Sequence, residues 1–234
     1  MNSALTELVE RFSGPAPDAV DDDPRQSRRR RIVVAVFLIA GAVILGFSLT
    51  AQPGDSSFYP LTAALAATWI VGGLASGPIR LGHFALRGTR TASDAAVFGV
   101  LTGAAVGLVF IVGALITREI PALSDLVNKV LAFSDQGSII VITVITLGNG
   151  LAEEVFFRGA VYSAAQHHRP IVVSTILYVI ATLASGNPML GFAAIILGAV
   201  CALLRRSTDG VLAPICCHVV WGAIVLFGLP PLFA

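Results

Sequence analysis

The sequence predicts an all-α fold, a polytopic bundle of about seven transmembrane helices with a cytosolic N-terminus. Hydrophobic residues make up 56% of the chain, and the mean hydropathy is +0.85. Charged residues make up only 12%, against roughly 25% in soluble domains. Apolar runs of about 20 residues, long enough to cross a bilayer as helices, recur from residue 32 onward.

Residues 1–31 are predicted to form a disordered cytosolic tail. They contain an acidic run at Asp21–Asp23 and a basic run at Arg28–Arg31, and Leu5–Phe12 has the spacing of one short amphipathic helix. Two interpretations of the basic run stay open. It is either a solvated part of the tail or a cluster attracted to anionic lipid headgroups.

Two membrane regions follow the tail. Residues 32–137 are predicted to hold three spans and a short amphipathic segment, Pro121–Phe133, at the outer surface. Residues 138–234 are predicted to hold four spans. The first of these four is longer than a bilayer requires, and Gly148–Gly150 is a candidate bend in it. The predicted spans cover residues 32–51, 59–77, 93–117, 138–166, 170–185, 188–206 and 210–228.

Cationic side chains are distributed unevenly among the predicted loops. The outer segments carry only Arg118 and Lys129. This asymmetry obeys the positive-inside rule at every short loop, and it favours seven spans with the N-terminus in the cytosol. The cations on the predicted cytosolic side are Arg11, Arg25, Arg28–Arg31, Arg80, Arg87, Arg90, Arg169, Arg205 and Arg206.

The fourth predicted span carries three ionisable side chains, Glu153, Glu154 and Arg158. A charge at the centre of a membrane helix costs roughly 2.5–3.5 kcal/mol, so such residues usually have a purpose. Glu154 and Arg158 are four residues apart and can pair on one helix face, which is a purely structural interpretation. Glu153 has no cation at this helical spacing, which favours a functional role.

Polar groups in two other spans lie at a similar predicted depth. At about 1.5 Å per residue, the glutamates lie roughly 18–20 Å from the inner end of their helix. His218 lies about 14 Å from its inner end, and Tyr178 and Thr182 about 12 and 18 Å from theirs. A lone membrane histidine is more often a hydrogen-bonded core group than a catalytic one. The spacing predicts a shared depth but not that the three helices are neighbours.

The segment Glu153-Glu154-Val-Phe-Phe-Arg158-Gly159 resembles the EExxxR motif of the CPBP family of intramembrane proteases. This family includes the CAAX prenyl endopeptidases and bacterial Abi and bacteriocin-processing relatives. Its second motif, FxxxH, falls on Tyr178-Val-Ile-Ala-Thr182, and its third, HxxxN, falls on His218-Val-Val-Trp-Gly222. The resemblance covers roughly residues 140–228, so residues 138–234 are expected to form the family core.

The resemblance implies roles for these residues. Glu153 is expected to activate water, and His218 to polarise the scissile carbonyl or hold its oxyanion. Thr182 stands where the family has a histidine, and Gly222 where it has an asparagine, so two helper groups are missing. The candidate catalytic residues are Glu153, Glu154 and His218, and the supporting residues are Arg158, Tyr178 and Thr182.

The predicted function is that of an intramembrane endopeptidase of the CAAX-protease/Abi type, which hydrolyses a peptide bond with glutamate-activated water. The alternative is a catalytically impaired pseudoprotease that binds a membrane partner. A third class, an ion-coupled transporter, is motivated by the intramembrane charges. It is disfavoured because the hydropathy pattern shows no duplicated pair of interrupted helices.

No cofactor is predicted. A zinc ion would have to use Glu153, Glu154 and His218, and adjacent glutamates diverge on a helix. The expected partners are a peptide or membrane-protein substrate and the lipid bilayer, and no nucleic acid is expected. The arginine-rich composition is typical of a GC-rich bacterial genome, so the expected location is a bacterial cytoplasmic membrane. The oligomeric state stays open.

Overall fold

The computed structural model describes residues 23–50, 55, 57–85, 89–132 and 138–233. This part of the chain is an all-α bundle without strands, as predicted, and its one β-bridge joins Phe84 and Thr91. The helices are α1 (Pro24–Thr50), α2 (Phe58–Ser76), α3 (Ala92–Thr117), α4 (Pro121–Leu131), α5 (Ile139–Ala164), α6 (Pro170–Leu183), α7 (Pro188–Thr208), α8 (Leu212–Gly228) and α9 (Pro230–Phe233).

Six of the described helices are long and apolar enough to cross a membrane, so the chain is a multi-pass membrane protein. They are α1, α2, α3, α5, α7 and the helical segment that begins with α8. The seventh predicted span corresponds to α6, which has only 14 residues and is about 21 Å long. Proline opens α6 at its first position, and Gly186 with a φ of 73° follows its end, which explains the short length.

The prediction for the tail needs a correction between Pro24 and Arg31. These residues belong to α1, so the helix begins before residue 32 and includes the basic run. Arginine is a good helix former, and the Arg30 Nε donates to the Ser76 carbonyl oxygen at 3.3 Å, which anchors this end of α1 to the end of α2. The predictions for residues 1–22 lie outside the described residues.

The predicted amphipathic segment is the helix α4. It begins at Pro121, contains no buried residue and has apolar and polar side chains on opposite faces. The Asn187 side chain, in the turn between α6 and α7, donates to the Leu126 carbonyl oxygen of α4 at 2.9 Å. This bond attaches α4 to the membrane bundle.

The helix α5 changes its hydrogen-bonding pattern close to the glutamates. It is α-helical over Ile139–Glu154, π-helical over Val155–Val161 and α-helical again over Tyr162–Ala164. The irregularity therefore lies after the glutamates, not at the predicted bend Gly148–Gly150. π-Helical turns are rare and often occur at functional sites, because they rotate side chains and release carbonyl groups.

The helices α3 and α8 approach closely because α3 presents glycines at every fourth position. A Cβ atom at Gly99 or Gly103 would overlap the backbone of α8 at Ala213 or Cys217. A Cβ atom at Gly107 would overlap the Ile224 side chain of α8. Small residues at this spacing let membrane helices pack backbone to backbone. The packing fixes α8, and with it His218, against the rest of the bundle.

The bundle has an arginine-rich end. There the turn between α7 and α8 packs against the segment after α2: the His83 backbone N–H donates to the Thr208 carbonyl at 2.7 Å, and that of Val211 donates to the Arg80 carbonyl at 2.9 Å. Arg90 pairs with Asp209 at 2.9 Å. The opposite end carries α4 and is called the α4 end.

Candidate active site

The Glu154 and Arg158 side chains form a fully buried ion pair on α5. The Arg158 Nη1 donates to the Glu154 Oε1 at 3.0 Å, and both side chains have an exposed fraction of 0%. The predicted i,i+4 pair is therefore present. The Arg158 Nη2 also donates to the Gly198 carbonyl at 2.9 Å, so the guanidinium connects α5 to α7. Each side chain of the pair has at least one hydrogen-bond partner, whereas the Glu154 Oε2 and the Arg158 Nε have none among the described residues.

His218 on α8 joins this pair. Its Nδ1 lies 2.8 Å from the Glu154 Oε1, the oxygen that also accepts from Arg158. A carboxylate only accepts hydrogen bonds, so Nδ1 carries the hydrogen and donates it to Glu154. Gly150 leaves room for the ring, because a Cβ atom there would lie 3.0 Å from the His218 Cδ2. The orientation of the imidazole is thus set by Glu154 and by a glycine one turn before it.

Glu153 lies on the other side of the imidazole. Its Oε2 lies 3.9 Å from the His218 Nε2 and accepts a 2.8 Å hydrogen bond from the Tyr178 hydroxyl. The two glutamates diverge on α5, as predicted. Both nevertheless contact His218, because each faces a different nitrogen of its ring. Glu153 keeps an exposed fraction of 20%, whereas Glu154 has none.

Tyr178 on α6 is held by its ring as well as by its hydroxyl. The Arg158 guanidinium lies over the ring, 4.7 Å from its centre, and the Phe157 ring packs against it at 4.9 Å. Such contacts stabilise a buried cation and a buried aromatic ring together. Arg158 therefore contacts both Glu154 and the tyrosine that bonds to Glu153.

A cavity of about 310 Å³ lies beside Glu153 and His218. Tyr178, Thr182 and Gly222 also line it, whereas Glu154 and Arg158 do not. The three helices that carry the predicted motifs are thus neighbours, and their polar groups face one hollow. This convergence could not be deduced from the sequence, which indicated only a common depth.

The two positions that depart from the family motifs face the same cavity. The Thr182 hydroxyl donates to the Tyr178 carbonyl at 2.9 Å, a bond within its own helix. Gly222 has no side chain, and a Cβ atom there would lie 3.4 Å from Leu147, an ordinary contact. Neither position supplies an ionisable group to the cavity.

Arg205 lies next to the cluster and was not among the predicted site residues. It was predicted to lie on the cytosolic side at the end of the span 188–206, and in the structure α7 continues to Thr208 and buries it. Its Nε donates to the Arg158 carbonyl at 3.1 Å, within the π-helical stretch, and its guanidinium lies over the Tyr162 ring at 4.8 Å. The sequence signal for this position was that Arg205 and Arg206 lie near the end of an apolar helical run.

The Trp221 ring also reaches the site, and the sequence analysis did not single it out. It packs edge-on against His218 with a centroid distance of 5.6 Å and lines the cavity. It lies three residues after His218, a spacing that puts both on one face of α8. His83, His167 and His168 take no part in the described hydrogen bonds of the cluster.

The zinc ligand set considered from the sequence does not fit the geometry. The Glu154 Oε1 is occupied by Arg158 and by the His218 Nδ1, so Glu154 does not converge with Glu153 on one point. Within the described residues, no group of three histidine, cysteine, aspartate or glutamate side chains is arranged to hold a metal ion.

Fold and site together define a multi-pass membrane protein with a buried acid–histidine cluster beside an internal cavity. Residues 135–224 match the family model described as type II CAAX prenyl endopeptidase Rce1-like. The resemblance predicted from the motifs is thereby confirmed. The family is one of CAAX-type intramembrane proteases, whose substrates are peptides or proteins in a membrane. No curated protein and no solved structure gives a significant match to the chain.

Proposed function

We propose that the protein is an intramembrane endopeptidase in which Glu153 activates the attacking water. The observation that carries this proposal is the placement of the Glu153 carboxylate and the His218 imidazole, 3.9 Å apart, on the wall of one cavity. A general base and a proton donor must both reach the reacting atoms, and these two groups do so from different helices.

The charges of the cluster supply the required protonation states. Glu154 and Arg158 neutralise each other, which leaves Glu153 and His218. In a low-dielectric site, the neutral arrangement has one proton shared between these two groups. When Glu153 is the carboxylate, His218 is the imidazolium, and its Nε2 has a hydrogen to donate.

The proposed reaction consumes one water molecule. Glu153 accepts a proton from the water as its oxygen bonds to the carbonyl carbon, and the His218 Nε2–H stabilises the developing oxyanion. Glu153 then gives its proton to the peptide nitrogen as the C–N bond breaks and the carbonyl re-forms. The products are a carboxyl group and an amine, and the site returns to its starting charge.

The remaining polar residues position these two groups. Glu154 fixes the tautomer of His218 through Nδ1, and Arg158 donates to Glu154 and connects it to α7. Tyr178 holds the Glu153 Oε2 and leaves the other carboxylate oxygen for water. We therefore assign Glu154 a positioning role instead of the catalytic role expected from the sequence.

The proposed setting is a bacterial cytoplasmic membrane with the arginine-rich end in the cytosol, as the positive-inside rule predicts. The proposed substrate is a peptide or a membrane protein, and no cofactor is required by the steps above.

The test uses the purified full chain in proteoliposomes with quenched-fluorescent apolar peptides. Glu153→Gln should reduce the rate by about 10²–10⁴, because a glutamine cannot take a proton from water. Glu119→Gln is the matched control, since Glu119 is exposed beside Arg118, and it should retain the wild-type rate. Cleavage that survives Glu153→Gln would contradict the assigned role, and an inactive wild-type protein would contradict the proposed activity.

The second candidate function, binding of a membrane partner without cleavage, is favoured by Thr182 and Gly222. The threonine hydroxyl bonds within its own helix and the glycine supplies no group, so two helpers of the family pattern are missing beside the cavity.

The double substitution Thr182→His with Gly222→Asn separates the two functions. If the wild-type chain is a pseudoprotease, the variant should gain cleavage that Glu153→Gln abolishes. If the wild-type chain is already a protease, its own activity in the same peptide assay decides against the binding function.

A further inference from the structure

The cavity lies entirely on one side of the Glu153–His218 pair. On α5 its lining residues are at or before Glu153, and on α8 they are at or after His218. These are the halves of the two helices nearer the α4 end. The other helices contribute in the same way, with α1 lining it near its C-terminus and α2 near its N-terminus. The lining residues of these two helices are Leu45, Ser48, Phe58, Thr62 and Leu65.

The opposite side of the pair is closed. Phe156, Phe157 and Arg158 follow the glutamates on α5 and are all buried, and none lines the cavity. Trp69 packs on the two phenylalanine rings at 4.7 and 5.1 Å. Arg205 fills the next layer toward the arginine-rich end. A substrate cannot pass this layer without unpacking the core.

The chemistry of the cavity wall favours an uncharged, apolar chain. Among the described residues that line it, Glu153 and His218 are the only ionisable groups apart from the tyrosine hydroxyl, and most of the other lining side chains are aliphatic or aromatic. A volume of about 310 Å³ is at the small end of ligand pockets, which suits a short stretch of peptide better than a folded domain.

Hydrogen-bonding capacity is also left unused beside the cavity. Among the described residues, three cavity-lining side chains have a buried polar atom without a partner: the Ser48 Oγ, the Asn149 Oδ1 and the Trp221 Nε1. Buried polar atoms usually find partners. An indole N–H and an amide oxygen are complementary to the carbonyl and N–H groups of an extended peptide.

We propose that the site takes an apolar peptide segment that reaches Glu153 from the α4 end, the non-cytosolic side when the positive-inside rule is applied to the arginines. This inference rests on the proposed endopeptidase function. It makes the substrate class a membrane-embedded or extracytoplasmic apolar segment. A soluble cytosolic chain terminus would approach from the closed, arginine-rich side.

The route is tested without catalysis, by cysteine labelling in right-side-out and inside-out vesicles that contain the full chain. The probe is a small charged methanethiosulfonate that does not cross the bilayer. Thr146→Cys places a thiol on the cavity wall. Val144→Cys is the matched control on the same helix, since Val144 is 66% exposed and does not line the cavity. Asn128→Cys marks the α4 end and Ser207→Cys the arginine-rich end, and the wild-type chain gives the background of its native cysteines.

The expected result is that Thr146→Cys reacts from the same side as Asn128→Cys and at least about tenfold faster than Val144→Cys. Reaction of Thr146→Cys from the Ser207→Cys side would overturn the inference. An unreactive Thr146→Cys in both vesicle types would overturn it as well, because the cavity would then have no aqueous access.

Supply of an apolar quenched-fluorescent peptide to one side at a time separates this inference from the proposed function. Cleavage only from the α4 side, lost in Glu153→Gln, supports both. Glu153-dependent cleavage only from the arginine-rich side overturns the route and leaves the endopeptidase in place. Labelling from the α4 side without cleavage from either side supports the route and overturns the proposed activity.

Discussion

At the residue scale, His218 organises the site because its two nitrogens face two different glutamates. Nδ1 donates to Glu154, whose charge is balanced by Arg158, and Nε2 faces Glu153 at 3.9 Å. A carboxylate that orients an imidazole through one nitrogen leaves the other free for chemistry. Adjacent acidic residues thereby take different roles, and burial separates them: Glu154 is inaccessible, and Glu153 opens to the cavity.

Tyr178→Phe tests the hydrogen bond to Glu153. The phenylalanine ring should keep its packing against Phe157 and Arg158, but Glu153 loses its 2.8 Å donor. A hydrogen bond to a charged group contributes about 1.5–3 kcal/mol, so kcat/KM should fall by about 10- to 100-fold. Tyr59→Phe, at a tyrosine that does not line the cavity, should retain the wild-type kcat/KM. Equal rates for Tyr178→Phe and the wild type would argue against the role of the hydroxyl.

Arg158→Met tests the buried ion pair through stability. It leaves Glu154 buried beside an apolar side chain, and breaking such a pair costs about 3–5 kcal/mol. The unfolding temperature of the purified protein should drop accordingly. Glu154→Gln combined with Arg158→Met should unfold at a higher temperature than Arg158→Met alone, because no uncompensated charge stays buried. A double variant less stable than the single one would refute this explanation.

At the element scale, α5 carries the two glutamates of the candidate site on an irregular helix. Its π-helical stretch, Val155–Val161, lies directly after the glutamates, and the released Arg158 carbonyl accepts from Arg205 of α7. Before the glutamates, Gly150 has no side chain and so leaves the space that the His218 ring occupies. The close packing of α3 on α8 holds the histidine from the other side. The site thus depends on helix contacts as much as on its own side chains.

Gly150→Val tests the fit between α5 and His218. The added Cβ would lie 3.0 Å from the His218 Cδ2, so the ring must shift by a few tenths of an ångström. Misplacement of a catalytic group is costly, and we expect a loss of activity of about tenfold or more. Gly148→Val has the same change in helix propensity but meets nothing within 4 Å, so it should keep its rate. Similar rates for the two variants would show that the ring has room to spare.

At the scale of the whole molecule, the cavity extends toward one end of the bundle and the arginines lie at the other. The arginine-rich end is packed and closed below Glu153, and the cavity extends toward the α4 end. If arginines stay in the cytosol, the cavity lies on the side of Glu153 that faces away from the cytosol. The bundle would then work on substrates that arrive from outside the cytosol.

The orientation is tested by alkaline phosphatase fusions in a bacterial host. A fusion to the C-terminus, after α9, should be active, because seven membrane passages from a cytosolic N-terminus end outside. A fusion after residue 210, at the arginine-rich end between α7 and α8, should be inactive. The reverse pattern would invert the proposed orientation and place the cavity opening in the cytosol.

The sequence by itself predicted the class of fold, the resemblance to the protease family and the candidate residues of the site. Hydropathy and loop charges predicted the helices, because a bilayer permits few ways to satisfy backbone groups. The spacing of Glu154 and Arg158 predicted their pair, since a helix puts residues four apart on one face. The start of α1 was placed too late, because arginines next to an apolar run do not show where a helix begins.

Only the tertiary structure decided how these residues work together. The meeting of α5, α6 and α8, the two nitrogens of His218 between two glutamates, and the bond from Tyr178 to Glu153 join residues far apart in the chain. The burial of Arg205 and the side of the Glu153–His218 pair on which the cavity lies also depend on such contacts. Periodicity in a helix specifies depth and face, but which faces meet depends on the packing of whole helices, through features such as the glycines of α3.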